Sequence, residues 1–251
     1  MMVVKMQLGP RMIAFPKLLV FDLDGTLIDS RRDLTNTVNA MLAHYGKMTL
    51  SEDIVASYIG DGAGVLVRRA LAHAHVIADE DDPHEDAFVE EALDWFIEYY
   101  KIHKVDFTTV YPGVEESLET IRQLQPHLPM AILTNKPVNP SRAICKHFGL
   151  DRFFFANYGG NSFASKKPHP EGLLRLMAEA SALIGEPIEP METVMIGDSH
   201  LDVLTARACG AASVGCTFGL SPDSLRAAGP DISVDHASEW PRVFGIIRRT
   251  S

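Results

Sequence analysis

Cysteine is scarce in this chain: three residues in 251, Cys145, Cys209 and Cys216, with no Cys-x-x-Cys pair. No disulfide framework can be read from them. Cys209 and Cys216 lie in small, apolar surroundings that predict buried thiols, and a reducing, cytoplasmic setting is expected. Positive charge is in deficit, with 23 Lys and Arg against 33 Asp and Glu, a net charge of −10 and a pI of about 5.4. That balance argues against wholesale nucleic-acid binding but not against a small anionic ligand, which local cations decide. No hydrophobic run reaches the length of a membrane span, so no membrane partner is expected. Repeats and low-complexity tracts are absent. The histidines offer no metal set: His73 and His75 do not share a helix face, and His44, His103, His127 and His147 are isolated. Residues 1–16 lack a long apolar stretch and are interrupted by Gly9-Pro10-Arg11, which predicts an N-terminal extension rather than a signal peptide.

What the chain does have is concentrated after Lys17. The apolar run Leu18-Leu19-Val20 leads into Phe21-Asp22-Leu23-Asp24-Gly25-Thr26. A short continuous apolar run reads as a buried strand of a parallel sheet, and Gly25 breaks it. Asp22 and Asp24 then stand at a strand's carboxyl end, where open α/β sheets bind ligands. Acids one residue apart are expected on one face of a strand. At about 4 Å and an effective dielectric of about 20 they repel by roughly 4 kcal/mol, so one is protonated or a cation lies close.

The pattern of strand, glycine and acid recurs at Thr193-Val194-Met195-Ile196-Gly197-Asp198, with Asp202 four residues on. If the two strands are neighbours, four carboxylates converge. That much negative charge calls for a hard divalent cation, and oxygen ligands favour Mg²⁺. Met130-Ala131-Ile132-Leu133 ends in Thr134 and Asn135; the threonine can donate to a phosphoryl oxygen, the asparagine through its backbone N–H or its side chain. Lys167 precedes Pro168, which favours an extended backbone and a fixed reach into a cleft, whereas Lys166 reads as part of a basic surface turn.

Between these motifs the periodicity changes. From Asp33 to about Tyr100 apolar residues recur at helical spacing with almost no strand, as in Leu34, Val38, Met41, Leu42 and Tyr45. A helix start is expected at Ser51-Glu52-Asp53-Ile54, and a solvated acidic loop over residues 79–86. After Tyr111-Pro112-Gly113-Val114 helices alternate with strands expected at 130–134, 153–156, 193–197, 212–215 and 232–234. That alternation argues a parallel sheet covered on both faces.

Asp22-Leu23-Asp24-Gly25-Thr26, Thr134-Asn135, Lys167-Pro168 and Gly197-Asp198-Ser199 with Asp202 together resemble the four ordered motifs of the haloacid dehalogenase superfamily of phosphotransferases. Dehalogenases of that superfamily lack the second acid of the first motif, so Asp24 points to its phosphatases and phosphomutases. The resemblance implies an α/β fold: a Rossmann-like parallel-sheet core, residues 17–30 and 108–251, carrying a small inserted all-helical cap domain, residues 31–107. It also implies that Asp22 is a nucleophile forming an aspartyl-phosphate and that Asp24 is the general acid and base. Mg²⁺ would be held by Asp22, the backbone carbonyl of Asp24, and Asp198. Thr134, Asn135 and Lys167 would bind the phosphoryl group, and Asp202 or Ser199 would orient Lys167.

Gly60-Asp61-Gly62-Ala63-Gly64, followed by Arg68 and Arg69, is a glycine-rich stretch able to approach a small ligand. From Tyr58 to Leu71 the chain resembles the cap of bacterial phosphoglycolate phosphatases, as do Thr134–Pro137 and Lys166–Pro170. That resemblance implies a substrate with one phosphate and one carboxylate, with Gly62 and Arg69 as cap contacts. The expected partner is a small phosphorylated metabolite, for a monomer or homodimer. The alternatives are another phosphoester, a sugar phosphomutase-like relative, and a non-catalytic phosphate-binding regulator, whose expected mark, loss of Asp22 or Asp24, is absent.

Overall fold

The computed structural model describes residues 15–77 and 85–246. Leu18–Phe21 forms strand β1 because all four side chains find apolar cover, alternately on opposite faces of a sheet. Leu19 and Phe21 join one buried cluster and Leu18 and Val20 another. Fully burying side chains of this size contributes about 1.5–3 kcal/mol each.

The chain continues through β2 (Ile28–Asp29) into four helices: α1 (Arg31–His44), α2 (Glu52–Ala56), α3 (Ala63–His73) and α4 (Asp86–His103). It returns through β3 (Thr109–Val110), and then come α5 (Val114–Leu124), β4 (Met130–Leu133), α6 (Val138–His147), β5 (Ala156–Tyr158) and α7 (Glu171–Ile184). The last part is β6 (Thr193–Gly197), α8 (His200–Cys209), β7 (Ala212–Cys216), α9 (Pro222–Ala228), β8 (Ile232–Val234) and α10 (Trp240–Val243). No described helix is long and apolar enough to cross a membrane.

Six strands form one parallel sheet in the order β5-β4-β1-β6-β7-β8. The chain runs outward from β1 in both directions, so β1, flanked by β4 and β6, is where the winding reverses, and ligand crevices of open sheets open there. Leu173, Leu176, Met177 and Ala180 of α7 cover one face over Leu18 and Val20. The other face packs against Val114, Leu118 and Ile121 of α5, with Trp240 edge-on to Phe21 at 5.2 Å between ring centroids.

The helical segment packs its own apolar faces, with Val38, Met41, Leu71, Ala92 and Phe96 buried together. Its entry and exit are tied. β2 and β3 pair antiparallel, and Asp33, almost fully buried in the first turn of α1, accepts hydrogen bonds from Phe107 N (3.0 Å), Thr108 N (2.8 Å) and Thr108 Oγ1 (2.7 Å).

The local expectations hold with shifted boundaries. Ser51 caps α2, its Oγ accepting from Ile54 N, and β6 and β8 span the expected residues. The strand expected at 153–156 is displaced: residues 150–153 form a 3-10 turn and β5 begins at Ala156. Gly149, with φ of +67°, ends α6 and leads into that turn, so the aromatic run Phe153-Phe154-Phe155 reads as a strand only in isolation. Cys145 and Cys216 are buried free thiols, whereas Cys209, expected to be buried, is only partly so at the end of α8. Residues 1–14 of the expected extension and 79–84 of the acidic loop lie outside the described residues; Asp86 opens α4.

Candidate active site

The pairing of β1 with β6 sets Phe21 opposite Ile196 and carries Asp22 and Asp198 out of adjacent strand ends. Asp202 reaches the same place from the first turn of α8. There it also closes a capping box: its Oδ2 accepts Ser199 N at 3.1 Å and Ser199 Oγ at 2.8 Å. Carboxylate oxygens of Asp22, Asp198 and Asp202 lie within 4.8 Å of one another, all buried. Three acids converge, not four.

Lys167, its side chain 2% exposed, points into this cluster with Nζ 2.6 Å from Asp202 Oδ1 and 3.0 Å from Asp22 Oδ1. It follows the loop after β5, and its bond to Pro168 is cis. Burial alone lowers a lysine's pKa, but Asp202 and Asp22 outweigh it and hold Lys167 above its usual value. Burial raises Asp22 to about 6 against the pull of Lys167. Burial, then the charges of Asp202 and Asp22, push Asp198 well above the usual carboxylate range. Asp22 Oδ1 also accepts Leu23 N at 2.7 Å, while Oδ2 has no hydrogen bond among the described residues. Asp198 Oδ2 accepts Leu220 N at 2.6 Å. Its carboxylate is wedged between two glycines: a Cβ on Gly25 would fall 2.1 Å from Asp198 Oδ2, and one on Gly219 2.2 Å from Asp198 Cβ.

Asp24 departs from the expected same-face repulsion with Asp22. β1 ends at Phe21, and Asp24 turns to a cation of its own, Lys136, whose Nζ lies 3.0 Å and 3.2 Å from its two oxygens; Ser30 Oγ donates to Asp24 as well. The two acids thus tolerate each other through two different lysines. In the sequence Lys136 stands out only as a member of the Thr134–Pro137 stretch. Its side chain is 4% exposed and its ammonium lies 4.7 Å from the Tyr100 ring centroid of α4. Burial works against its charge, but Asp24 and Tyr100 raise its pKa on balance. Nothing in a lysine before a proline announces this; the signal lay in the partner, an acid two residues from Asp22 that still needed a cation.

A narrow cleft opens above these groups. Asp22, Asp24, Thr134 and Lys136 line its core side, while Gly60, Gly62, Leu66, Phe96 and Tyr100 line its helical side. Thr134 is buried, with Oγ1 accepting Lys136 N at 3.2 Å. The side chain of Asn135 is engaged elsewhere: Nδ2 donates to Gly60 O (3.1 Å) and Lys167 O (3.0 Å), so only its backbone is left for a phosphate. Gly62 is at the cleft wall. Arg69 is ion-paired with Asp61 at 2.7 Å and is not among the lining residues. Lys166, read as a surface turn, donates to Asp61 O and so joins core to helical segment.

The haloacid dehalogenase-like hydrolase family matches residues 19–216. A protein of Chromobacterium violaceum named phosphoglycolate phosphatase is 36% identical over 226 residues, covering 89% of this chain and 94% of that one. One of the same name from Vibrio parahaemolyticus is 34% identical, covering 92% and 96%. Among solved structures, a predicted phosphoglycolate phosphatase from Haemophilus somnus superposes with a TM-score of 0.81 at 30% identity, covering 92% of this chain and 98% of that one. The order of the four motifs, their convergence at the reversal point of the sheet and this likeness over most of the chain agree: the chain belongs to the haloacid dehalogenase-like hydrolases.

Proposed function

We propose that this hydrolase removes phosphate from a small phosphomonoester through an aspartyl-phosphate on Asp22, and that its substrate is 2-phosphoglycolate. The observation that carries the reading is the state of Asp22. It is buried, fixed through Oδ1 by Lys167 and Leu23 N, and its Oδ2 is left for attack at the cleft floor. The substrate assignment rests on the named relatives, which match nearly the whole chain.

The donor set fits a divalent cation. Three buried carboxylates face one lysine, two of them are driven toward protonation, and all offer hard oxygen ligands. Asp22, Asp198 and the Asp24 carbonyl would hold Mg²⁺, with Asp202 kept for Lys167. The ion supplies charge that lets an anionic nucleophile approach an anionic phosphate.

In the first step Asp22 Oδ2 bonds to phosphorus as the bond to the leaving oxygen breaks, and Asp24 gives that oxygen a proton. In the second, water attacks the phosphorus, Asp24 takes its proton, and the bond to Asp22 breaks. Thr134 Oγ1, the Asn135 backbone N–H and Lys167 stabilise the equatorial oxygens as charge shifts. The segment 31–107 acts as a cap, tied by Asp33 at its hinge, with Gly62 and the loop leading to Arg69 closing over the cleft and excluding water.

The test is phosphate release with saturating Mg²⁺, comparing kcat/KM for 2-phosphoglycolate, β-glucose 1-phosphate and an aryl phosphate. A large preference for 2-phosphoglycolate supports the reading. A flat or sugar-favouring profile discards the substrate, and turnover by Asp22→Asn near the wild-type rate discards the mechanism.

A further inference from the structure

We propose that Lys136 is the residue that recognises the carboxylate of the substrate. This rests on the reading above that the substrate is a carboxylate-bearing phosphomonoester. Of the described residues lining the cleft, Lys136 is the one cation. The rest of the wall beyond Asp22, Asp24 and Thr134 is almost wholly apolar, including Leu34, Ile59, Leu66, Phe96 and Pro140. A carboxylate entering such a cleft gives up its hydration and needs a charged partner there.

Position supports the same assignment. Asp24 serves the leaving oxygen, and in 2-phosphoglycolate the carboxyl carbon is two bonds from that oxygen. The cation 3.0 Å from Asp24 Oδ1 is therefore set beside the place the carboxylate must occupy. Lys136 is also preorganised. It is buried, held below the Tyr100 ring and anchored by Asp24, so little side-chain freedom is lost on binding. Its charge reaches the cleft from the core, next to the chemistry, whereas Arg69 is not among the described residues that line the cleft. Selection by carboxylate would then be made beside the leaving group rather than by the cap arginine.

The experiment compares kcat/KM for 2-phosphoglycolate with that for ethyl phosphate, the same skeleton without the carboxylate, in wild type, Lys136→Met, Lys136→Arg and Arg69→Ala. The ratio is the readout, because loss of the Asp24 partner affects both substrates alike. In Lys136→Met the preference for 2-phosphoglycolate should shrink by about 30-fold or more, the usual result of removing one member of a buried charge pair. Lys136→Arg, which keeps the charge, should retain most of it, and Arg69→Ala should leave the ratio in place. Lys136→Gln repeats the test if the methionine variant does not fold. Equal losses on both substrates in Lys136→Met, or a ratio that collapses in Arg69→Ala instead, overturn the assignment to Lys136 while the substrate reading stands. A wild-type enzyme with no preference overturns both.

Discussion

Asp198→Asn should make the metal-free protein more stable while abolishing its activity. The site holds three buried carboxylates and one buried lysine. At an effective dielectric of about 20, two unit charges at the 4.8 Å limit of this cluster repel by about 3.5 kcal/mol, and Asp198 faces two such neighbours. Protonation limits the penalty. Each pH unit above the usual carboxyl value of 3.8 costs about 1.4 kcal/mol, so the ceiling at pH 7.5 is about 5 kcal/mol. Asparagine removes the charge and keeps a carbonyl to accept Leu220 N, now 2.6 Å from Asp198 Oδ2. The net gain expected in EDTA at pH 7.5 is about 3 kcal/mol, a rise in Tm of about 6–12 °C for a chain of this size.

The sign of the pH dependence follows from the raised pKa values. A carboxyl that holds its proton more tightly folded than unfolded makes stability fall as pH rises from the unfolded value toward the folded one. For Asp22 that window runs from 3.8 to about 6; for Asp198 it starts at 3.8 and extends upward. The gap between Asp198→Asn and wild type should therefore shrink to about 1 kcal/mol at pH 4.5. Adding Mg²⁺ should stabilise the wild type by about 2.7 kcal/mol at a hundredfold excess over Kd, and the variant far less. Thermal melts of both proteins at the two pH values, with EDTA and with Mg²⁺, measure all of this. A variant that melts at or below the wild type in EDTA at pH 7.5, or a gap unchanged at pH 4.5, refutes the electrostatic account.

Asp202→Asn should lower kcat about ten- to hundred-fold with little change in Tm, because Lys167 loses its 2.6 Å partner and leans on Asp22 alone, while the amide still caps α8 through Ser199; an unchanged kcat would remove Asp202 from the positioning of Lys167. Asp33→Ala should destabilise the protein by about 2–4 kcal/mol, read as a lower urea midpoint, because Phe107 N, Thr108 N and Thr108 Oγ1 lose a shared buried acceptor; an unaltered midpoint would show the tie to be dispensable.

The site's principal acids were legible because each follows an apolar run that can only be a central strand. Leu18–Phe21 before Asp22 and Thr193–Gly197 before Asp198 are buried throughout. The partners of those acids were less legible. Lys136 and Asp24 are 112 residues apart in sequence, and Asp33 and Thr108 are 75 apart. Neither pairing leaves a periodic trace. The two-residue pairing of β2 with β3 is likewise too short for alternation to reveal. Asn135 and Arg69 show the converse: residue types suited to an anion whose side chains the fold employs elsewhere, on the carbonyls of Gly60 and Lys167 and on Asp61.

A covered parallel sheet, the helical run between the first motif and the rest, and the chemistry available at the strand ends can all be read along the chain. Apolar periodicity and the residues that break it are local properties, and local properties survive in a string of letters. Which cation answers which acid is settled by folding. That choice is made where β1, β4 and β6 bring their carboxyl ends together, and the distances there give Lys167 to Asp22 and Asp202 and Lys136 to Asp24. Coulomb interactions between buried groups depend on separation and burial, and both are properties of the folded chain alone.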